Sequence, residues 1–214
     1  MRTKTLSLLI AVFMLIECLF TPVEVHASSF SNTVSNAITA ASVAAKGLKT
    51  YTYKGKKYAI IPNATTYTGS AFNQFNKSYK STFGNVGCSA TACACAISIM
   101  KKAKKDPRKY WTKNGCILSN YGSVGSTSGE KAVLKKCINL VDSKKPGILQ
   151  MSSPSTHYVT VVGYRIGVNV NSVSRSDILV MDPATGTIKT LPEAMSYNNN
   201  KRKIDAVRWF NSLR

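Results

Sequence analysis

The chain has 214 residues, 44% of them hydrophobic and 18% charged. That composition can bury one sizeable core, and it excludes a disordered chain, a collagen-like repeat and a multi-domain assembly. Twenty-nine Lys and Arg against nine Asp and Glu leave a net charge of +20, and two histidines, His26 and His157, exclude any site built from several imidazoles.

Residues 1–27 read as an export signal. Arg2 and Lys4 form a positive start, Leu6 to Phe20 is apolar almost throughout, and Val25-His26-Ala27 suits cleavage before Ser28. The apolar run is shorter than the roughly 20 residues that span a bilayer. Cys18 follows Glu17 rather than a small residue, which argues against lipidation there. Cleavage would remove Arg2, Lys4, Glu17 and Glu24, two charges of each sign, so the exported chain keeps its net charge and His157 becomes its lone imidazole.

Residues 28–50 are expected to form an N-terminal helical segment, either a pro-segment or part of the domain. Phe30, Val34, Ile38 and Ala41 fall at helical spacing, with Gly47 as a stop. The domain proper is expected over residues 51–214. Tyr51 to Ile61 has a basic, strand-like pattern, and Pro62 to Gly87 reads as loop. A helix is expected over residues 90–105, small and apolar almost all round in its first half, lysine-rich in its last turn, and ended by Asp106-Pro107. A second is expected from Ser128 to Ser143, opened by a Thr127–Glu130 capping box and apolar along Leu134, Cys137, Ile138 and Val141. Strands are expected at Ile148–Met151, Tyr158–Tyr164, Asp177–Asp182, Thr187–Leu191 and Ala206–Phe210, with a turn at Pro183 to Gly186. Helices first and strands second indicate an α+β fold with an antiparallel sheet.

Five cysteines remain after the signal: Cys88, Cys93, Cys95, Cys116 and Cys137. An odd number in an exported protein indicates at least one free thiol. Cys93, Cys95, Cys116 and Cys137 could form two disulfides or stay reduced and buried, and spacing does not choose. The intervals between Cys88, Cys93 and Cys95 do not match a structural zinc site. No cofactor or metal is expected.

A nucleophilic cysteine needs a base, usually a histidine oriented by a third polar group. Cys88 opens the first helix, where the positive end of the helix dipole favours a thiolate. His157 begins an apolar strand and Asp182 ends the next one. Each residue stands at the boundary of a different element, where clefts form.

These segments resemble a known family. Asn85-Val-Gly-Cys88-Ser-Ala-Thr91-Ala-Cys-Ala is similar to the Gly-Cys-Gly-Pro-Thr-x-x-Ala-Met box of papain-like cysteine peptidases of the bacteriocin-leader-processing (double-glycine) type, with Ser89-Ala90 standing for Gly-Pro. His157-Tyr-Val-Thr-Val-Val-Gly163-Tyr164 resembles that group's His-x-Val-x-Val-x-Gly-Tyr strand, and Ile178-Leu-Val-Met-Asp182-Pro183 its strand ending in Asp-Pro. The resemblance covers roughly Asn73 to Leu191. It implies a papain-like fold, with a buried nucleophile helix packed on an antiparallel sheet. It also implies Cys88 as nucleophile, His157 as base and Asp182 orienting the imidazole. The family's oxyanion-hole Gln stands six residues before the Cys in its close-spaced form, where this chain has Thr82. Longer-loop relatives carry it further back, and Gln74-Phe-Asn76-Lys-Ser-Tyr79 resembles that segment, which makes Gln74 the candidate.

The implied activity is secreted peptide-bond hydrolysis through an acyl-enzyme, on a peptide or protein substrate and by a monomer. Two other readings stay open: a cell-wall amidase or acyl transferase on the same fold, and an inactive cationic protein that binds the cell envelope. The charge makes anionic cell-wall polymers or membrane surfaces expected partners. No zinc-finger, helix-turn-helix or RNA-binding signature points to specific nucleic-acid recognition.

Overall fold

The structure is a computed structural model that describes residue 37 and residues 40–83, 86–112, 115–116, 121–152, 155–197 and 200–211. The expected export signal and most of the expected helix over residues 30–45 lie outside the described residues. Residues 40–45 are helical. Gly47, at φ 67°, closes that turn, with its N–H bonded to Ala44 O and the Leu48 N–H to Val43 O, the paired bonds of a Schellman stop.

The basic strand-like stretch folds as a hairpin, β1 (Lys49–Tyr53) and β2 (Lys56–Ile60). Lys54 and Gly55 turn it with positive φ of 47° and 74°, the two-residue geometry that matches strand twist. Helix α1 (Cys88–Lys101) comes after a loop of short turns, then β3 (Tyr121–Gly125) and α2 (Glu130–Asp142). The remaining chain supplies β4 (Gly147–Ser152), β5 (His157–Arg165), β6 (Ile178–Asp182), β7 (Thr187–Thr190), α3 (Leu191–Met195) and β8 (Lys203–Phe210). These eight strands form one antiparallel sheet, beside two short two-stranded ladders, and with the helices this is the expected α+β, papain-like architecture.

β5 is the strand around which the others are arranged. One of its edges pairs with β4 along His157–Val161 and then with β2 along Gly163–Arg165, while the other edge pairs with β6. β4 continues to β8 and β8 to β3; β6 continues to β7. Gly163 is where β2 comes closest, because a Cβ there would stand 2.6 Å from Ala59 O. Helix α1 packs on the face that carries Thr160, Ile148 and Phe210, and Thr160 Oγ1 donates to Ala92 O at 2.9 Å. Helix α2 covers the other face near Gly147 and Val207, where Lys136 lies 4.0 Å from the Trp209 ring centroid. Val133, Leu134, Cys137, Ile138, Leu140 and Val141 bury its apolar side, as the helical spacing indicates.

Three local expectations are corrected. The first helix starts two residues earlier than expected, at Cys88, and ends at Lys101. Lys102 takes a left-handed φ of 51°, and Ser98 Oγ receives the Lys105 N–H, so the chain leaves the helix before Asp106-Pro107. The Thr127–Glu130 capping box does not form. Gly129, at φ 84°, opens α2, and Glu130 reaches across to Arg175 instead. Asp177 belongs to the turn before β6, where it caps Ser174 and meets Arg165 at 2.6 Å.

The turn after β6 is clamped to the loop ahead of α1. Gly69 N–H donates to Gly186 O at 2.7 Å and Gln74 N–H to Pro183 O at 2.8 Å. Gly186 has φ 69°, and a Cβ there would lie 2.3 Å from Gly69 O. Gly186→Ala is therefore expected to destabilise the fold by about 2 kcal/mol or more, read as a lowered midpoint in urea unfolding. An unchanged midpoint would show that the two segments are not locked together.

Candidate active site

Cys88 is the first residue of α1. It comes directly after Gly87, where a Cβ would come within 2.4 Å of the Phe83 ring. The first intrahelical bond is Thr91 N–H to Gly87 O, so the N–H groups of Cys88, Ser89 and Ala90 have no acceptor within the helix. Alanines at 90, 92, 94 and 96 are all fully buried; their small side chains let the helix backbone approach the sheet. The thiol thus sits at the positive end of a 14-residue buried helix, and Ser89-Ala90 carries the helix start that Gly-Pro makes in the resembling box.

His157 opens β5 and Asp182 closes β6. Val161 stands opposite Val180, so by alternation His157 and Asp182 fall on one face of the sheet. Their side chains meet: His157 Nε2 lies 2.7 Å from Asp182 Oδ1, with 6% and 5% of the two side chains exposed. Cys88 lines the same cleft as the imidazole and is close enough for its sulfur to favour the charged ring. With Nε2 engaged by Asp182, Nδ1 is the nitrogen left for the sulfur. Burial acts to lower the imidazole pKa, but the hydrogen bond to Asp182 and the nearby Cys88 sulfur outweigh it and hold the value above that of an ordinary histidine. Burial pushes the Asp182 carboxyl up, yet its bonds to His157 and to the Ala184 N–H, with Lys189 3.0 Å from Oδ2, keep it below the usual carboxylate range.

Gln74, Cys88, His157 and Asp182 all line one cleft of about 710 Å³. The clamp between Gln74 N–H and Pro183 O carries Gln74 into it, and the residue is 5% exposed. The four residues singled out in the sequence are therefore brought together. Phe75 and Val86 flank the cleft and remain 53% and 62% exposed, and Trp111 and Arg202 contribute to its wall. These lining residues carried no sequence signal. Arg202 and Lys189 are two of twenty-nine Lys and Arg residues, and only the fold turns them inward.

The other cysteines stand apart from this chemistry. Cys93 is disulfide-bonded. Cys95 and Cys137 are free and fully buried, and burial pushes both thiols up to about 12. Among the described residues, no group of three or more His, Cys, Asp or Glu side chains is placed to hold a metal ion.

Among known protein families, the Peptidase_C39 like family matches residues 68–205, a span that contains all four cleft residues. No curated protein and no solved structure matches.

The His157 pKa shift has a definite sign. The pair's contribution to stability is complete below the ordinary imidazole pKa, about 6.5, and fades as pH rises through the higher folded value. For Asp182 it is present above the ordinary carboxyl value, about 3.9, and is lost as pH falls through the lower folded one. A ring-proton NMR titration should place the His157 midpoint above about 6.5 and bring it down in Asp182→Asn. A wild-type midpoint at or below the ordinary value would contradict the hydrogen-bonded pair.

Proposed function

The chain belongs to the Peptidase_C39 like family and is thereby related to the papain-like cysteine peptidases, and from that premise we infer that it hydrolyses peptide bonds through Cys88, His157 and Asp182. The observation that carries this reading is an imidazole bonded to a buried carboxylate at 2.7 Å in a cleft that the Cys88 thiol, at the head of α1, also lines.

His157 takes the Cys88 proton and the thiolate attacks the scissile carbonyl. The oxyanion that develops is met by the Cys88 backbone N–H and the Gln74 side-chain amide; one such donor is worth on the order of 10²–10³ in rate. Asp182 holds the ring so that Nδ1 faces sulfur, and it stabilises the imidazolium. His157 then delivers its proton to the leaving amine. Water, deprotonated by the same imidazole, attacks the thioester and releases the acid, which regenerates the thiol.

The exposed faces of Phe75 and Val86 beside the cleft suit an apolar side chain of an extended peptide. The reading includes export, supported by residues 1–27, and attraction to anionic envelope polymers, supported by the net charge of +20.

Cleavage of fluorescein-labelled casein tests the assignment. Cys88→Ala is expected to abolish turnover, and Gln74→Ala to lower kcat on the order of 10²-fold with KM little changed. Iodoacetamide should label Cys88 in the folded protein and reach Cys95 and Cys137 only after unfolding. Cleavage that survives Cys88→Ala would remove the peptidase reading, and an inert Cys88 would favour a binding protein.

A further inference from the structure

We propose that Lys189 is a positioning residue: it fixes the Asp182 carboxylate in the orientation that serves His157, and so extends the site to a four-member chain of alternating charge, Cys88, His157, Asp182 and Lys189. This rests on the peptidase reading above and assigns a role to a residue outside the motifs.

The geometry is specific. Asp182 Oδ1 receives His157 Nε2 at 2.7 Å and the Ala184 N–H at 2.9 Å, and Oδ2 has Lys189 Nζ at 3.0 Å. Both oxygens are thereby held and the carboxylate cannot rotate away from the ring. The register explains how the lysine arrives. Lys189 stands opposite Val180, two residues before Asp182, so it is the diagonal neighbour of Asp182 on the same face. Its side chain is only 17% exposed, against 70% for Lys54 in its pair with Glu193. A surface pair of the second kind contributes little; an ammonium drawn out of water towards a buried carboxylate interacts in a poorly screened setting.

The other charged groups around β6 are accounted for. From β5, Arg165 is paired with Asp177. From α3, Glu193 is taken by Lys54, Tyr53 and Thr190. From α2, Glu130 is paired with Arg175. Arg202 lines the cleft and adds positive charge. Among these groups, Lys189 is the one in direct contact with the Asp182 carboxylate besides His157.

The test is the pH dependence of Cys88 alkylation by iodoacetamide, which needs no substrate. It compares wild type with Lys189→Met, Lys189→Gln and Lys189→Arg, each checked for a native melting transition. Removing the cation lets Asp182 and, through it, His157 hold their protons to higher pH. The profile of both neutral variants should therefore move up by about half a pH unit, a roughly threefold slower reaction on the acid limb. Lys189→Arg should restore the wild-type profile. Profiles that superimpose in the neutral variants, or an Arg variant displaced as far as they are, would overturn the proposal; a purely structural lysine would lower stability and leave the profile in place. Casein cleavage that persists in Cys88→Ala would instead overturn the peptidase reading, and the alkylation profiles would still report on Lys189.

Discussion

Burying an ionised carboxylate is costly unless its oxygens are bonded and its charge is matched. Asp182, at 4% exposure, meets that condition through the strands on either side of it and the turn that follows it. Its carboxylate takes His157 from β5, Ala184 from the adjoining turn and Lys189 from β7. Its carbonyl accepts the N–H groups of Thr185 and Gly186, which closes that turn, and the turn holds the loop of Gly69 and Gln74. The catalytic geometry and the local fold thus share one anchor. A chain that mispaired β6 would lose the orientation of the imidazole and the placement of Gln74 together.

The sheet explains why the thiol and the imidazole can meet. β5 shares one edge between β4 and β2, so its first half and its last residues have different neighbours, with Gly163 at the changeover. This leaves the His157 end of the strand at the cleft, while Thr160 in its middle is tied to α1 through Ala92. That same contact sets the height of α1 on the sheet, and with it the position of Cys88 one turn earlier. The run of alanines in the helix permits the approach. A larger side chain at Ala92 would push the nucleophile away from its base.

Much of this arrangement is legible in the residues alone. Cys88, His157 and Asp182 stand at element boundaries in a readable order, and each apolar strand announces itself by composition. The apolar side of α2 comes from helical spacing. Gln74 is reachable through its neighbours Asn76 and Tyr79. The misleading signals are local ones with a distant competitor. Thr127 and Glu130 form a sound capping pattern, but Arg175 offers Glu130 an ion pair from another part of the chain. Asp106-Pro107 is a sound helix stop, yet Ser98 gives the Lys105 N–H an acceptor and the helix ends sooner. The capping boxes that do form, at Ser174–Asp177 and Thr190–Glu193, have the same spacing as the one that does not.

The amino-acid order by itself determined which side chains could do chemistry, because one of only two imidazoles, His157, opens an apolar strand, Cys88 heads an apolar helix, and strand ends are marked by residue type. It also determined the α+β class, since periodicity is a local property. Tertiary structure alone decided which of many lysines and arginines turn inward, which cysteines are sealed in the core, and how wide the cleft stands. Those outcomes depend on register and packing between segments that no local pattern relates, so Lys189 and Arg202 look like surface charge until β7 and the start of β8 are folded into place.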